Sequence, residues 1–188
     1  LSSISVAWGD VDGDGDLDLA VGNDGNNEVY LNSGTALATT PAWTSSNSPT
    51  TYSIAWGDVN GDGNLDLVVG NYQNNEVYLN TGTALATTPA WTNNNSLSTY
   101  SVVWGDVDGD GDLDLAVGNR IQINEGYLNQ LNNGGAGDDG LPDIDLGGLQ
   151  SIFNSTADWT SSNSPDTFSV AWGDVDDDGD LDLAVGNY

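Results

Sequence analysis

The chain has 188 residues, of which 29 are acidic and one, Arg120, is basic, for a formal net charge of −28. Charge of that sign and size argues against binding nucleic acid or anionic lipid. Without Cys or His there is no disulfide framework, thiol nucleophile, thiolate zinc site or imidazole base, so catalysis would have to run on carboxylates, hydroxyls and bound metal. No 18-residue apolar run is present, so no membrane insertion is expected.

From the first residues the pattern is β. In Ile4 to Trp8, the bulky Ile4, Val6 and Trp8 alternate with Ser5 and Ala7, which predicts a strand. An Asp/Gly loop follows, and then Leu17, Leu19 and Val21 alternate with Asp18, Ala20 and Gly22. The pair reads as a hairpin with one bulky and one small face. A third strand is expected at Glu28 to Asn32 and a fourth around Trp43; no segment has a helical pattern.

The same order then repeats. Trp8, Trp56 and Trp104 are 48 residues apart, and Trp172 follows after 68, which is one period plus an insertion of 20. Trp43, Trp91 and Trp159 each precede the next loop tryptophan by 13 residues, so the extra residues lie upstream of Trp159, mostly in the Gly/Asn/Asp-rich stretch Asn132 to Gly148. The third strand recurs at Glu76 to Asn80 and Glu125 to Asn129. We read one repeat domain over 1–188, with units of approximately 1–48, 49–96 and 97–164, an insertion near 130–148 and a partial unit over 165–188. The fold class expected is all-β, with propeller-like or stacked blades of about 48 residues. The chain has no initiator Met and stops at Asn187-Tyr188, the counterpart of Asn71-Tyr72 in mid-repeat, so a processed product or an excerpt of a longer polypeptide is expected.

The loops carry the chemistry. In the first, Asp10, Asp12 and Asp14 stand at positions 1, 3 and 5, Gly15 at position 6, Asp16 at position 7 and Asp18 at position 9. Carboxylates so spaced converge on one point when the backbone coils tightly, and the glycine permits the positive φ of that turn. Position 7 would offer its carbonyl. The second loop supplies Asp58, Asn60, Asp62, Asn64 and Asp66; the third Asp106, Asp108, Asp110, Asp112 and Asp114; the fourth Asp174, Asp176, Asp178, Asp180 and Asp182. An all-oxygen donor set in a flexible loop suits Ca2+ better than Mg2+ or Zn2+, so about four calcium sites are expected. Solvated Asp-Gly turns are the alternative, but they would not demand an acid or amide at positions 1, 3, 5 and 9 in every copy. The loops hold 19 of the 29 acidic residues, so cation binding and folding should be coupled. Leu17, Leu65, Leu113 and Leu181 at position 8 read as apolar pegs.

The run Trp-Gly-Asp-Val-Asp-Gly-Asp-Gly-Asp-Leu-Asp-Leu-Ala-Val-Gly-Asn, at Trp8 to Asn23 and in near copies from Trp56, Trp104 and Trp172, resembles the VCBS/FG-GAP repeat of bacterial surface proteins and of the integrin α-subunit propeller. The resemblance implies a β-propeller whose DxDxDGxxD loops join the first two strands of each blade and bind calcium. It also implies adhesion, assembly or glycan contact more often than catalysis. Propellers have four to eight blades, and three and a half repeats do not close a full-sized ring, so the structure is expected to be open or completed in trans.

Three lesser features compete with plain surface loops: an acidic cluster of Asp138, Asp139, Asp143 and Asp145 around Gly140, glycosylation triplets at Asn94 and Asn154, and the Thr-rich stretches before Pro41 and Pro89. The tryptophans read as blade core rather than as a sugar platform. The expected function is an extracellular or cell-surface, calcium-binding, structural or adhesive module, not an enzyme, with self-association or other surface proteins as partners. A carbohydrate-binding, lectin-like propeller and a non-catalytic appendage of a secreted enzyme are the alternatives.

Overall fold

The computed structural model describes residues 2–47, 49–95, 97–130, 152–163 and 166–188. The acidic cluster between Asp138 and Asp145 and most of the insertion lie outside them. Fourteen strands form three four-stranded antiparallel sheets and one hairpin, and no helix occurs among the described residues. The first sheet is β1 (Ser3–Gly9), β2 (Asp18–Asn23), β3 (Glu28–Tyr30) and β4 (Trp43–Thr44). The second is β5 (Thr51–Gly57), β6 (Asp66–Asn71), β7 (Glu76–Tyr78) and β8 (Trp91–Thr92). The third is β9 (Thr99–Gly105), β10 (Asp114–Asn119), β11 (Glu125–Tyr127) and β12 (Trp159–Thr160), and β13 (Thr167–Gly173) with β14 (Asp182–Asn187) forms the hairpin. In each full sheet the strands pair in sequence order, and β1, β5, β9 and β13 lie side by side in a row of blades.

Register explains the two-faced hairpins anticipated from the sequence. Trp8 pairs with Leu19 and Val6 with Val21, while Ala7 pairs with Ala20 and Ser5 with Gly22. Because side chains alternate across a strand, the bulky pairs share one face and the small pairs the other. Two-sided burial is achieved by stacking the bulky face of each blade on the small face of the one before.

Glycine makes the close approach possible. A Cβ placed on Gly9 would stand 2.7 Å from Trp56 Cδ1, one on Gly57 2.7 Å from Trp104 Cδ1, and one on Gly105 2.4 Å from Trp172 Cδ1. Gly22, Gly70 and Gly118 make the equivalent room for the Thr and Ile or Val methyls of the next blade. The position-8 leucines dock here as well: Leu65 Cδ1 lies 3.0 Å from the Gly9 Cβ position and Leu113 Cδ1 2.9 Å from that of Gly57. These two pegs fasten their loops to the preceding blade, whereas Leu17 of the first loop is exposed.

The core follows as one layer per blade pair. Ala20, Val29 and Trp43 of the first blade meet Ile54, Leu67, Val69 and Tyr78 of the second; Val68, Val77 and Trp91 of the second meet Val102, Leu115, Val117 and Tyr127 of the third. The edge-to-face pairs repeat closely, with Trp43–Tyr78 at 5.1 Å and 76° and Trp91–Tyr127 at 5.0 Å and 75°. Trp43 Nε1 donates to Ala86 O (2.9 Å) and Trp91 Nε1 to Asn154 O (3.1 Å), so both indoles are satisfied inside the core.

If this seating sets stability, Gly57→Ala should cost about 1 to 3 kcal/mol through overpacking against Trp104, whereas Gly173→Ala, with nothing within 4 Å, should be nearly neutral. Paired urea titrations of the two variants provide the check.

Candidate metal centres

Each loop joins the first two strands of a blade and coils through hydrogen bonds from its own backbone to its own carboxylates. Gly15 N donates to Asp10 Oδ2 (2.9 Å), Asp14 N to Asp12 Oδ1 (3.2 Å) and Asp16 N to Asp14 Oδ1 (2.9 Å). The second and third loops repeat this set, and the fourth keeps the bonds from Gly179 and Asp180. Gly15, Gly63, Gly111 and Gly179 all have φ between 87° and 98°, as the position-6 reading requires. At position 4 the first three loops use glycine at φ 69–76°, while the fourth holds Asp177 there at φ 61°. Aspartate tolerates this conformation better than most side chains.

The coil gathers positions 1, 3 and 9. Carboxylate oxygens of Asp10, Asp12 and Asp18 lie within 4.8 Å of one another, as do those of Asp106, Asp108 and Asp114 and those of Asp174, Asp176 and Asp182. In the second loop Asn60 supplies an amide where the others have a carboxylate, between Asp58 and Asp66. The position-5 residues Asp14, Asp62, Asp110 and Asp178 are outside the gathered groups, and each accepts the backbone N–H of position 7. The position-7 side chains of Asp16 and Asn64 reach the turn after the third strand. A Cβ on Gly34 would lie 2.7 Å from Asp16 Oδ2, and one on Gly82 3.3 Å from Asn64 Oδ1. Asp112 and Asp180 hold the same place in their loops.

Position 9 is the best anchored. Asp18 Oδ2 accepts from Val11 N (2.9 Å) and Oδ1 from Asn32 N (2.7 Å), so one buried carboxylate ties the loop to the end of the third strand. Asp66 does the same with Val59 and Asn80, and Asp114 with Val107 and Asn129. Asp182 accepts from Val175 N and is exposed, as the fourth hairpin has no third strand within the 188 residues.

Do these residues fit a metal ion? Asp10 Oδ1 and Asp106 Oδ1 are buried without a hydrogen-bond partner. A buried carboxylate oxygen left unpaired is costly, and a cation between it and the two gathered neighbours would remove that cost. The donor set is all oxygen and anionic, so the three gathered groups fit a metal ion, held by positions 1, 3 and 9.

Without a cation the same crowding weakens the carboxylates as acids. Burial pushes the Asp66 carboxyl up to about 6, against the opposing pull of its Asn80 and Val59 bonds, and Asp114 likewise to about 6. Asp12 and Asp108 are also raised, mainly by desolvation, with neighbouring aspartates adding to the effect.

Sequence reasoning missed a second buried acidic network. Glu76 and Glu125 are buried on third strands, and burial pushes both carboxyls up. The Asn47 amide crosses from the first blade to bond Glu76, and that of Asn95 crosses from the second to bond Glu125. Tyr78 OH lies 2.9 Å from Glu76 Oε2, and burial pushes the Tyr127 hydroxyl up to about 12. The signal was present: Asn47, Asn95 and Asn163 each stand four residues after a fourth-strand tryptophan.

Against known families, a model described as FG-GAP-like repeat matches residues 10–69 and again 58–117, and one described as FG-GAP repeat matches 98–137. No curated protein matches the chain.

The raised acids give a sign that can be tested. A carboxyl with a folded pKa of about 6 against about 4 when unfolded takes up protons on folding between those values, so its stabilising contribution is present below pH 4 and lost as pH rises through 6. In chelator, the melting temperature should therefore fall as pH rises from about 4 to 6. At saturating cation the same carboxyls are held ionised, and stability should instead fall as pH drops. Calorimetric scans across this range, with and without cation, check the reversal.

Proposed function

The chain belongs to the FG-GAP-like repeat family, and from that membership we propose that it is a calcium-stabilised structural and adhesive repeat module working outside the cell. The observation that carries the cation is the recurrence of one gathered carboxylate group at the same place in three blades, with a buried unpaired oxygen in two of them. Calcium is the ion of choice because hard oxygen donors in a loop that closes by backbone turns suit its larger, flexible coordination. Bound there, it would neutralise the crowded aspartates and clamp the first two strands of the blade to the loop.

An extracellular setting follows from the same chemistry. Sites of this kind in extracellular modules bind at about 0.1 to 1 mM, a range met outside the cell rather than in cytosol. Where free calcium is about 100 times the dissociation constant, each site adds about 2.7 kcal/mol. No helix among the described residues is long and apolar enough to cross a membrane. We read the module as non-enzymatic, with the gathered loop carboxylates serving as cation donors and as knots between loop and strand, and self-association or another surface protein is the partner class we favour.

One observation favours glycan binding as a second reading. A cleft of about 600 Å³ opens between the first two blades, lined by Asn47, Tyr72, Gln73, Asn74, Glu76 and Thr92. An exposed aromatic ring beside several amides is the surface a sugar requires. A glycan array on the intact chain tests it, and Tyr72→Ala should abolish any hit.

For calcium, isothermal titration should show binding coupled to a higher melting temperature. Asp106→Asn should remove one site. The second loop, which has an amide at position 3, should be weaker than the first and third, and Asn60→Asp should tighten it by increasing the ligand charge. A melting temperature unmoved by calcium would overturn the assignment.

A further inference from the structure

The two glutamates buried between blades sit in joints that differ at one position. At the first joint the Asn47 amide donates to Glu76 Oε1, and the Tyr78 hydroxyl oxygen lies 2.9 Å from Glu76 Oε2 and 3.0 Å from Asn47 Oδ1. Tyr78 is fully buried, and Asn47 Oδ1 has no other hydrogen-bond partner among the described residues. A phenol carries one proton, which can serve one acceptor. If Glu76 is ionised, that proton goes to the carboxylate, and the lone pairs of Tyr78 and Asn47 face each other across 3.0 Å. If Glu76 keeps its own proton, Oε2–H donates to Tyr78, Tyr78 donates to Asn47 Oδ1, and Asn47 Nδ2 donates to Oε1. The ring then closes with every member satisfied.

At the second joint Asn93 stands where the first has Ser45. Both accept the N–H just before a third strand: Ser45 Oγ from Asn27 N (2.9 Å) and Asn93 Oδ1 from Asn75 N (2.7 Å). Their own protons go to different places. Ser45 Oγ donates to the Asn47 backbone carbonyl (2.9 Å), whereas Asn93 Nδ2 donates to Asn95 Oδ1 (2.8 Å). With that oxygen satisfied, the Tyr127 hydroxyl, 3.3 Å from Asn95 Nδ2, keeps its proton for Glu125. Glu125 also accepts from Asn95 and, at 3.2 Å, from Asn119 Nδ2. Three donors meet this carboxyl, a set that suits the ionised form.

We propose that Glu76 holds a proton in the folded chain and makes the joint between the first and second blades pH-sensitive, loosening when the proton is lost, while the Glu125 joint is built for a carboxylate. No charged side chain among the described residues faces Glu76: Val69 and Asn71 of β6, Thr92 of β8 and Asn47 of the first blade surround it, and Tyr78 is its titratable neighbour. Around Glu125 the same places hold Val117, Asn119, Thr160 and Asn95, with Tyr127 as the titratable neighbour. Burial pushes both carboxyls up, and the proton count separates them. A carboxyl raised on folding adds stability below its unfolded pKa, and the gain is lost as pH rises through the folded value. Both joints lie inside the row, and neither depends on which cation fills the loops.

The chain has three glutamates, Glu28, Glu76 and Glu125, so carbon-13 labelling of the glutamate carboxyl gives three resonances, assigned through their bonds to the backbone. In a pH titration of the 188-residue chain with calcium in excess, the Glu76 signal should change at a higher pH than the Glu125 signal. Ser45→Asn should shift the Glu76 midpoint down and Asn93→Ser should shift the Glu125 midpoint up; each variant keeps an acceptor for the N–H before the third strand. Glu76→Gln, with the shape and donor of the protonated acid, should match the wild-type melting temperature in acid and exceed it as pH rises, whereas Glu125→Gln should melt below wild type throughout. A wild-type Glu76 midpoint at or below that of Glu125, one that Ser45→Asn leaves unmoved, or a Glu76→Gln chain less stable than wild type at every pH would each overturn the proposal. The first of these comparisons is made within the wild-type chain and requires no variant to fold.

Discussion

The structure depends on a tryptophan ring packed closely against a backbone with no Cβ. Gly9, Gly57 and Gly105 end the first strand of their blades, and at each of them the indole of the following blade approaches to a distance that any side chain would block. That seat brings the bulky face of one hairpin onto the small face of the next, and the buried aliphatic layers grow from it. Each well-buried Val, Ile or Leu in those layers contributes about 1.5 to 3 kcal/mol. Neither face could be buried by its own blade, so a blade is stable only as part of a row.

Electrostatics then work against this packing and are contained locally. The aspartates crowd into loops at the ends of the hairpins, where backbone N–H groups take up part of the charge. The position-9 carboxylate is doubly employed, as a candidate metal donor and as the bond that joins the loop to the third strand. Losing its charge, or its cation, would therefore loosen the blade as well as the loop. In the last hairpin this knot is half made, and its aspartates are correspondingly exposed.

The buried glutamates show a different solution to the same problem. Glu76 and Glu125 sit in the layer between blades, and each is met by an asparagine from the preceding blade and a tyrosine two residues along its own strand. A buried carboxylate is tolerable when its oxygens are bonded, and here the bond also fixes one blade relative to the next. Glu28 of the first blade is bonded by Tyr30 and Asn23 of its own blade. The repeated unit is therefore the interface as much as the sheet.

Much of this was legible in the chain itself. The 48-residue spacing of tryptophans, the alternation in Ile4 to Trp8 and the Asp ladder with glycine at position 6 determined the strand order, the two-faced hairpins and the loops, because these depend only on side-chain period and local backbone freedom. Tertiary structure decided the rest. It separated the position-1, -3 and -9 carboxylates, which converge, from those at positions 5 and 7, which turn to backbone or to the neighbouring turn. It also aimed Leu65 and Leu113 at the preceding blade and brought Asn47 to Glu76 across 29 residues. The sequence by itself thus determined what each blade is made of. Only the folded row decided which groups meet, because those meetings arise from packing between units that the chain's own spacing does not encode.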